Sequence, residues 1–173
     1  GMILLALAFL PWVAYWVISG PGETAGIAIA LSVSCALLAQ QVWTSSYRLL
    51  DVATFAYFAV AALGTFLADI PLFATESGPL GFGFLLVIAI ISLLARRPFS
   101  ADPARLEYPR QYWRNPDFIT LHSIVTSVWT GAFLINTIVV AFSAIGPMDA
   151  IPVALLGAAF IFTVVFQRKG PAY

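Results

Sequence analysis

The residues best suited to chemistry lie in one hydrophilic stretch, residues 96–117, in an otherwise apolar chain. The stretch holds five of the eight basic residues: Arg96, Arg97, Arg105, Arg110 and Arg114. Guanidinium groups present a planar fork of donors that matches phosphate oxygens, and aromatic rings such as Trp113 favour the depth of lipid headgroups. We therefore predict lipid contact by Arg110, Arg114 and Trp113, with Arg96 and Arg97 beside them. In a simpler interpretation, Arg96 and Arg97 only anchor the preceding helix by reaching phosphates.

Catalysis and metal binding have little support in the sequence. Asp102 and Glu107 are explained by helix capping or charge pairing, and the chain has no phosphate-binding glycine loop, His-Glu-x-x-His or Gly-x-Ser-x-Gly motif. His122 is the one histidine and Cys35 the one cysteine. A haem with two histidine ligands and a multi-cysteine metal site are therefore excluded within one chain. We expect no catalytic residue, metal or cofactor, although an enzyme is not fully excluded.

A second polar feature follows the fifth apolar segment. Hydroxyl residues recur there every three or four positions, with His122 near one end and Asn136 deeper. Such a stripe can line a water-filled path, for which the candidates are His122, Thr126, Thr130 and Asn136. Alternatively, the hydroxyl groups bond back to helix carbonyls or join helices, which is the commoner role of such residues in membranes.

The composition indicates a membrane protein. Hydrophobic residues make up 61% of the 173 residues, charged residues 9%, and the mean hydropathy is +0.96. Soluble domains have roughly 45–50% apolar and roughly 25% charged residues. The formal net charge is zero, so the overall charge does not suggest a nucleic-acid partner.

Hydropathy predicts an all-α polytopic fold, a single integral membrane domain over residues 1–173. We predict six transmembrane helices, at residues 2–18, 24–42, 49–68, 80–95, 118–144 and 150–166. The hydrophilic residues 96–117 then form a loop with a short amphipathic helix, from an N-cap at Asp102 to about Tyr108, and Asn115 caps the fifth span. Arg48 and Asp51, three residues apart, are expected to form an ion pair.

Two further patterns concern orientation and assembly. In the six-span arrangement all eight basic residues fall on one side, and the opposite connections contain acidic residues only, namely Glu23, Asp69, Glu76 and Asp149. The positive-inside rule then places both termini and the loop in the cytoplasm. We therefore expect a multi-pass protein of the cell inner membrane. Gly26, Ala30 and Ser34 form a small-residue face, which packs within the monomer or forms the seam of a homodimer.

The fifth span resembles a known family. Trp129, Phe133, Asn136 and the run Val140-Ala141-Phe142 are similar to the corresponding ending in the bacterial intracellular septation protein A family. The resemblance implies a small polytopic inner-membrane protein linked to envelope synthesis and cell division. It implies no catalytic residue.

Two functions from different classes remain open. The first is a non-enzymatic bacterial inner-membrane protein, scaffolding or envelope-associated, whose cytoplasmic loop contacts anionic lipid headgroups or an assembly partner. The second is a small-solute channel or carrier that uses the polar face of the fifth span. A membrane-embedded lipid enzyme is a third and weaker hypothesis.

Overall fold

The computed structural model describes residues 2–18 and 24–169, and the regular structure in this part of the chain is helical. There are eight α-helices in the described part: α1 Met2–Ile18, α2 Ala25–Thr44, α3 Leu49–Ala62, α4 Leu72–Thr75, α5 Ser77–Leu94, α6 Ala101–Arg105, α7 Pro116–Phe142 and α8 Ala150–Lys169. A π-helical turn, Leu63–Leu67, extends α3, and a 3₁₀ turn, Arg110–Tyr112, lies between α6 and α7. The predicted all-α class is therefore confirmed.

Five of these helices are long and apolar enough to cross a membrane: Ala25–Thr44, Leu49–Leu67, Ser77–Leu94, Pro116–Phe142 and Ala150–Lys169. The first helix, α1, is also apolar but has only 17 residues. At a rise of 1.5 Å per residue it measures about 26 Å, against a hydrocarbon core of ~30 Å. The structure thus establishes five candidate spans and one shorter apolar helix.

The short helix α1 is nevertheless central to the packing. Trp12 and Tyr15 are fully buried, and the Trp12 indole donates a hydrogen bond to Thr54 Oγ1 of α3 at 3.0 Å. The Trp16 indole donates to the backbone carbonyl of Ser77, at the start of α5, also at 3.0 Å. Buried indole N–H groups are costly unless they find acceptors, so these two bonds fix α1 against α3 and α5.

The small-residue face of α2 packs against α1 within the chain. Gly26, Ala30 and Ser34 are all buried. A Cβ atom added at Gly26 would lie 3.1 Å from the backbone oxygen of Tyr15 in α1, so the two backbones approach closely there. The structure therefore shows the first of the two predicted roles, helix packing within the monomer. A homodimer stays a prediction that would need another surface.

The predicted helix ends were partly wrong. The fourth span was expected at residues 80–95, but α5 begins at Ser77 and has 18 residues. Pro79 lies in its first turn, where backbone amides lack intrahelical partners and proline is tolerated. The preceding acidic connection, expected to be irregular, contains the one-turn helix α4. The sixth span also extends beyond residue 166, to Lys169.

The loop helix differs more strongly from its prediction. It runs from Ala101 to Arg105 rather than from Asp102 to about Tyr108. The Asp102 side chain does not cap it, because it accepts a hydrogen bond from the backbone N–H of Leu49 at 2.8 Å. The prediction for Asn115 is confirmed, since its side-chain oxygen accepts from the N–H of Asp117 at 2.9 Å, at the start of α7.

Candidate functional site

A large cavity lies where α2 and α5 end and α3 begins. Its volume is about 920 Å³, and we call it the arginine cavity. All five predicted lipid-contact residues line it: Arg96, Arg97, Arg110, Trp113 and Arg114. Arg105, Asp102 and the turn formed by Ser45, Ser46 and Tyr47 complete most of the wall. Residues from distant parts of the sequence therefore converge on one volume.

The C-terminus of α5 positions the first arginine pair. The backbone N–H of Arg96 donates to Leu93 O at 3.0 Å, and that of Arg97 donates to Ser92 O at 2.9 Å. This pair of bonds is the Schellman arrangement, which requires a left-handed residue after the helix. Arg96 occupies that position with a φ of 54°. Both arginine side chains remain exposed at the mouth of the cavity.

The helix α6 is tied to the bundle through Asp102. Asp102 Oδ2 accepts a hydrogen bond from the backbone N–H of Leu49, and Asp102 Oδ1 accepts one from Arg105 Nη1 at 2.8 Å. Burial raises the pKa of the Asp102 carboxyl above its usual value, although the Leu49 amide and the nearby Arg105 and Arg97 charges oppose this. The Asp102 carboxylate therefore compensates the charge of Arg105 and holds α6 against the start of α3.

The cavity carries a strong positive charge. Five arginines line it against one aspartate, a formal charge of +4 among the described lining residues. Two ion pairs join residues in the described part of the chain, Asp51 with Arg48 and Asp102 with Arg105. Arg96, Arg97, Arg110 and Arg114 form no ion pair with a described residue. Four guanidinium groups are thus available to an anion.

Trp113 fixes the loop that carries Arg110 and Arg114. Its indole N–H is shared between the backbone oxygens of Arg105 at 3.1 Å and Tyr108 at 3.0 Å. The guanidinium carbon of Arg110 lies 5.8 Å from the centroid of the Trp113 ring, within the range of a cation–π contact. The tryptophan therefore fixes the loop and orients Arg110.

A buried ion pair lies at the start of α3, directly after the turn formed by Ser45, Ser46 and Tyr47. Arg48 Nε lies 2.5 Å from Asp51 Oδ2, and both side chains are buried. Gln41, at the end of α2, donates to the same carboxylate oxygen at 2.8 Å and accepts from the Arg48 N–H at 2.9 Å. The predicted pair is confirmed. The contribution of Gln41 was missed, although a glutamine in an apolar helix is a signal for a buried partner.

Two of the four predicted path residues belong to a polar network between the loop and α7. Ser100 Oγ donates to His122 O at 3.1 Å and lies 3.0 Å from Thr126 Oγ1 and 3.3 Å from His122 Nδ1. The hydroxyl proton of Ser100 is donated to a backbone carbonyl. Ser100 and His122 therefore serve to join the loop to α7. They also line a small cavity of about 110 Å³ with Glu107 and Gln167.

The other two path residues lie deeper in α7. Thr130 donates to the backbone oxygen of Thr126 at 2.7 Å, within its own helix. Asn136 is fully buried and donates from Nδ2 to Pro152 O at 3.3 Å. Its Oδ1 has no hydrogen-bond partner among the described residues. Neither residue lines the two cavities described above.

Comparison of the chain with protein-family models, curated proteins and solved structures finds no match. Within the described residues there is also no cluster of three or more potential metal ligands. The functional interpretation therefore depends on the geometry of the arginine cavity. Sequence reasoning identified the arginines but missed the Ser45–Tyr47 wall, which only tertiary contact brings to them.

Proposed function

We propose that this chain is a non-enzymatic membrane protein whose arginine cavity binds the phosphate of anionic lipids. The observation that carries the proposal is the set of four guanidinium groups around one open volume, none of them paired with a described carboxylate. Charge-assisted bonds from arginine to phosphate are short and about twice as strong as neutral ones. A basic pocket beside membrane-crossing helices is therefore chemically matched to a phospholipid headgroup.

We further propose that α1 is a sixth span and that the cavity faces the cytoplasm of a bacterial inner membrane. Local thinning of the bilayer accommodates a helix of about 26 Å, and the indole bonds of α1 to α3 and α5 support its place in the bundle. The sorting of the basic residues supports the orientation. The resemblance to septation protein A supports an envelope-associated or scaffolding role.

Cysteine labelling tests the orientation. In a Cys35→Ala background, Glu76→Cys and Asp149→Cys are expected to react with a membrane-impermeant maleimide in spheroplasts. Gln111→Cys and Lys169→Cys should react only after permeabilisation, because basic flanking segments stay in the cytoplasm. All four positions are exposed, so a lack of reaction reports the membrane and not burial. A single reversed site contradicts the six-span orientation.

Lipid preference tests the function. Native mass spectrometry of the detergent-solubilised protein is expected to show retained phosphatidylglycerol and little retained phosphatidylcholine of the same acyl chains. Raised salt should reduce the difference, because exposed charges are screened over about 10 Å at ~0.1 M. Equal retention of the two lipids would show that the arginine cavity does not select an anion.

A channel or carrier for small solutes is the second candidate. One observation favours it: Asn136 is fully buried in α7 with its Oδ1 unpartnered among the described residues. An orphaned amide oxygen at depth is costly in a membrane, so it is a place where a solute or water could bind. Liposome flux over a panel of ions and metabolites distinguishes the candidates, since lipid binding alone moves no solute.

A further inference from the structure

We infer that the arginine cavity takes one lipid headgroup that carries two phosphates, with one phosphate at Arg96 and Arg97 and the other at Arg110 and Arg114. This inference rests on the proposed function and names the class of lipid. It comes from two features of the site: its volume and the division of its charges into two pairs.

The volume exceeds the needs of a single phosphate. Pockets of about 300–1,000 Å³ enclose whole drug-sized ligands, and the arginine cavity, at about 920 Å³, lies near the top of that range. A phosphate diester on a lipid would occupy only one part of it. A larger polar group, two phosphates joined by a short linker, would fill more of the volume.

The charges are divided between two separate segments. Arg96 and Arg97 follow the C-terminus of α5, whereas Arg110 and Arg114 belong to the loop held by Trp113. Each pair offers two guanidinium forks, enough to bond one phosphate from two sides. One phosphate diester carries a single negative charge and leaves most of the formal +4 uncompensated. Two phosphate diesters carry two negative charges, so each arginine pair receives one anion and half of the formal +4 is compensated.

Another part of the cavity wall is suited to a polar linker. Ser45 and Ser46 line the cavity with Tyr47, and Ser46 Oγ lies 2.6 Å from Thr44 Oγ1. Hydroxyl groups can donate to or accept from a glycerol or sugar hydroxyl. Leu106 and Ile119, also in the wall, provide apolar contact for the start of acyl chains.

Arg96 occupies its position against the backbone preference. Its φ of 54° lies in the left-handed region, where glycine is the favoured residue after a helix. Ser45 and Asp69 share this conformation after other helix ends, with a φ of 51° each, so it accompanies the helix end and does not itself indicate a binding site. Arg96 also lines the arginine cavity.

Native mass spectrometry with three ligands tests the inference. They are a lipid with two phosphatidyl groups joined by glycerol, phosphatidylglycerol, and inorganic pyrophosphate. The wild type is expected to bind the two-phosphate lipid at least tenfold more tightly than phosphatidylglycerol. Arg96→Ala with Arg97→Ala, or Arg110→Ala with Arg114→Ala, should each abolish this preference.

Two further variants serve as controls. Arg168→Ala with Lys169→Ala removes two charges from the end of α8, outside the cavity, and should retain the preference. Arg96→Gly should keep or raise the unfolding temperature while reducing the preference, which separates binding from folding.

The outcomes distinguish this inference from the proposed function. Arginine-dependent binding that is equal for the two lipids overturns the two-phosphate site and leaves the proposed function standing. Equal binding of phosphatidylglycerol and phosphatidylcholine, in the comparison described under the proposed function, overturns both. Pyrophosphate binding as tight as that of the two-phosphate lipid overturns the assignment to a lipid.

Discussion

Replacement of Arg110 and Arg114 by alanine together is expected to weaken binding of phosphatidylglycerol about thirtyfold and to leave the fold intact. Each arginine near an anionic bilayer surface contributes about 1 kcal/mol, so the pair contributes about 2 kcal/mol. Both side chains line the arginine cavity and are exposed, and neither forms an ion pair with a described acidic residue. Their removal should therefore lower the affinity for lipid and change the free energy of unfolding little.

The control for this variant is Arg168→Ala with Lys169→Ala. It makes the same change in net charge at the exposed end of α8 and should change the affinity only slightly. Native mass spectrometry gives the affinities, and thermal unfolding in detergent reports the fold. If both double variants bind as the wild type does, the loop arginines serve the structure of the loop and not a lipid.

Asp51→Ala is expected to lower the free energy of unfolding by about 3–5 kcal/mol. Removing one partner of a buried ion pair leaves an uncompensated charge, which costs more than the pair contributes. The exposed fractions of the Arg48 and Asp51 side chains are 6% and 1%, so water would not reach the orphaned guanidinium easily. Gln41 Nε2 would lose its acceptor as well.

Glu76→Ala is the matched control, because Glu76 is exposed and forms no ion pair with a described residue. Its expected effect lies within about 0.5 kcal/mol. Arg48→Met combined with Asp51→Leu should recover much of the loss, since no charge is then left buried. Chemical denaturation in detergent measures all three. A small effect of Asp51→Ala would mean that water reaches the Arg48 guanidinium in this variant.

Hydropathy was sufficient to predict the apolar helices, because each is long and nearly free of charge. Their ends were harder to place. Ser77, Gly78 and Pro79 read as a turn in the sequence, yet they form the first turn of α5, where the Trp16 indole bonds to Ser77 O. The loop helix α6 was misplaced for the same reason, because Asp102 bonds to Leu49, a partner 53 residues away.

The site was predictable where local chemistry defines it. Arginines at the end of a span and beside aromatic residues indicate phosphate binding from types and spacing alone. The pairing of Asp102 with Arg105 could have been predicted, because the two residues are three apart, as Arg48 and Asp51 are. The sequence could not show that the other arginines of the cavity are left without a described ion-pair partner, because that depends on which segments meet in the fold. The septation protein A resemblance concerns α7 and stays a prediction.

Solid-state NMR of the protein in vesicles containing phosphatidylglycerol gives the most direct test of lipid binding by the arginine cavity. Dipolar coupling between guanidinium carbons and lipid phosphorus reports contact at hydrogen-bonding distance. We predict strong coupling in the wild type, its retention after Arg168→Ala with Lys169→Ala, and its loss when Arg96, Arg97, Arg110 and Arg114 are all replaced by alanine. Coupling that is absent from the wild type, or unchanged in the fourfold variant, would contradict binding of lipid phosphate in the arginine cavity.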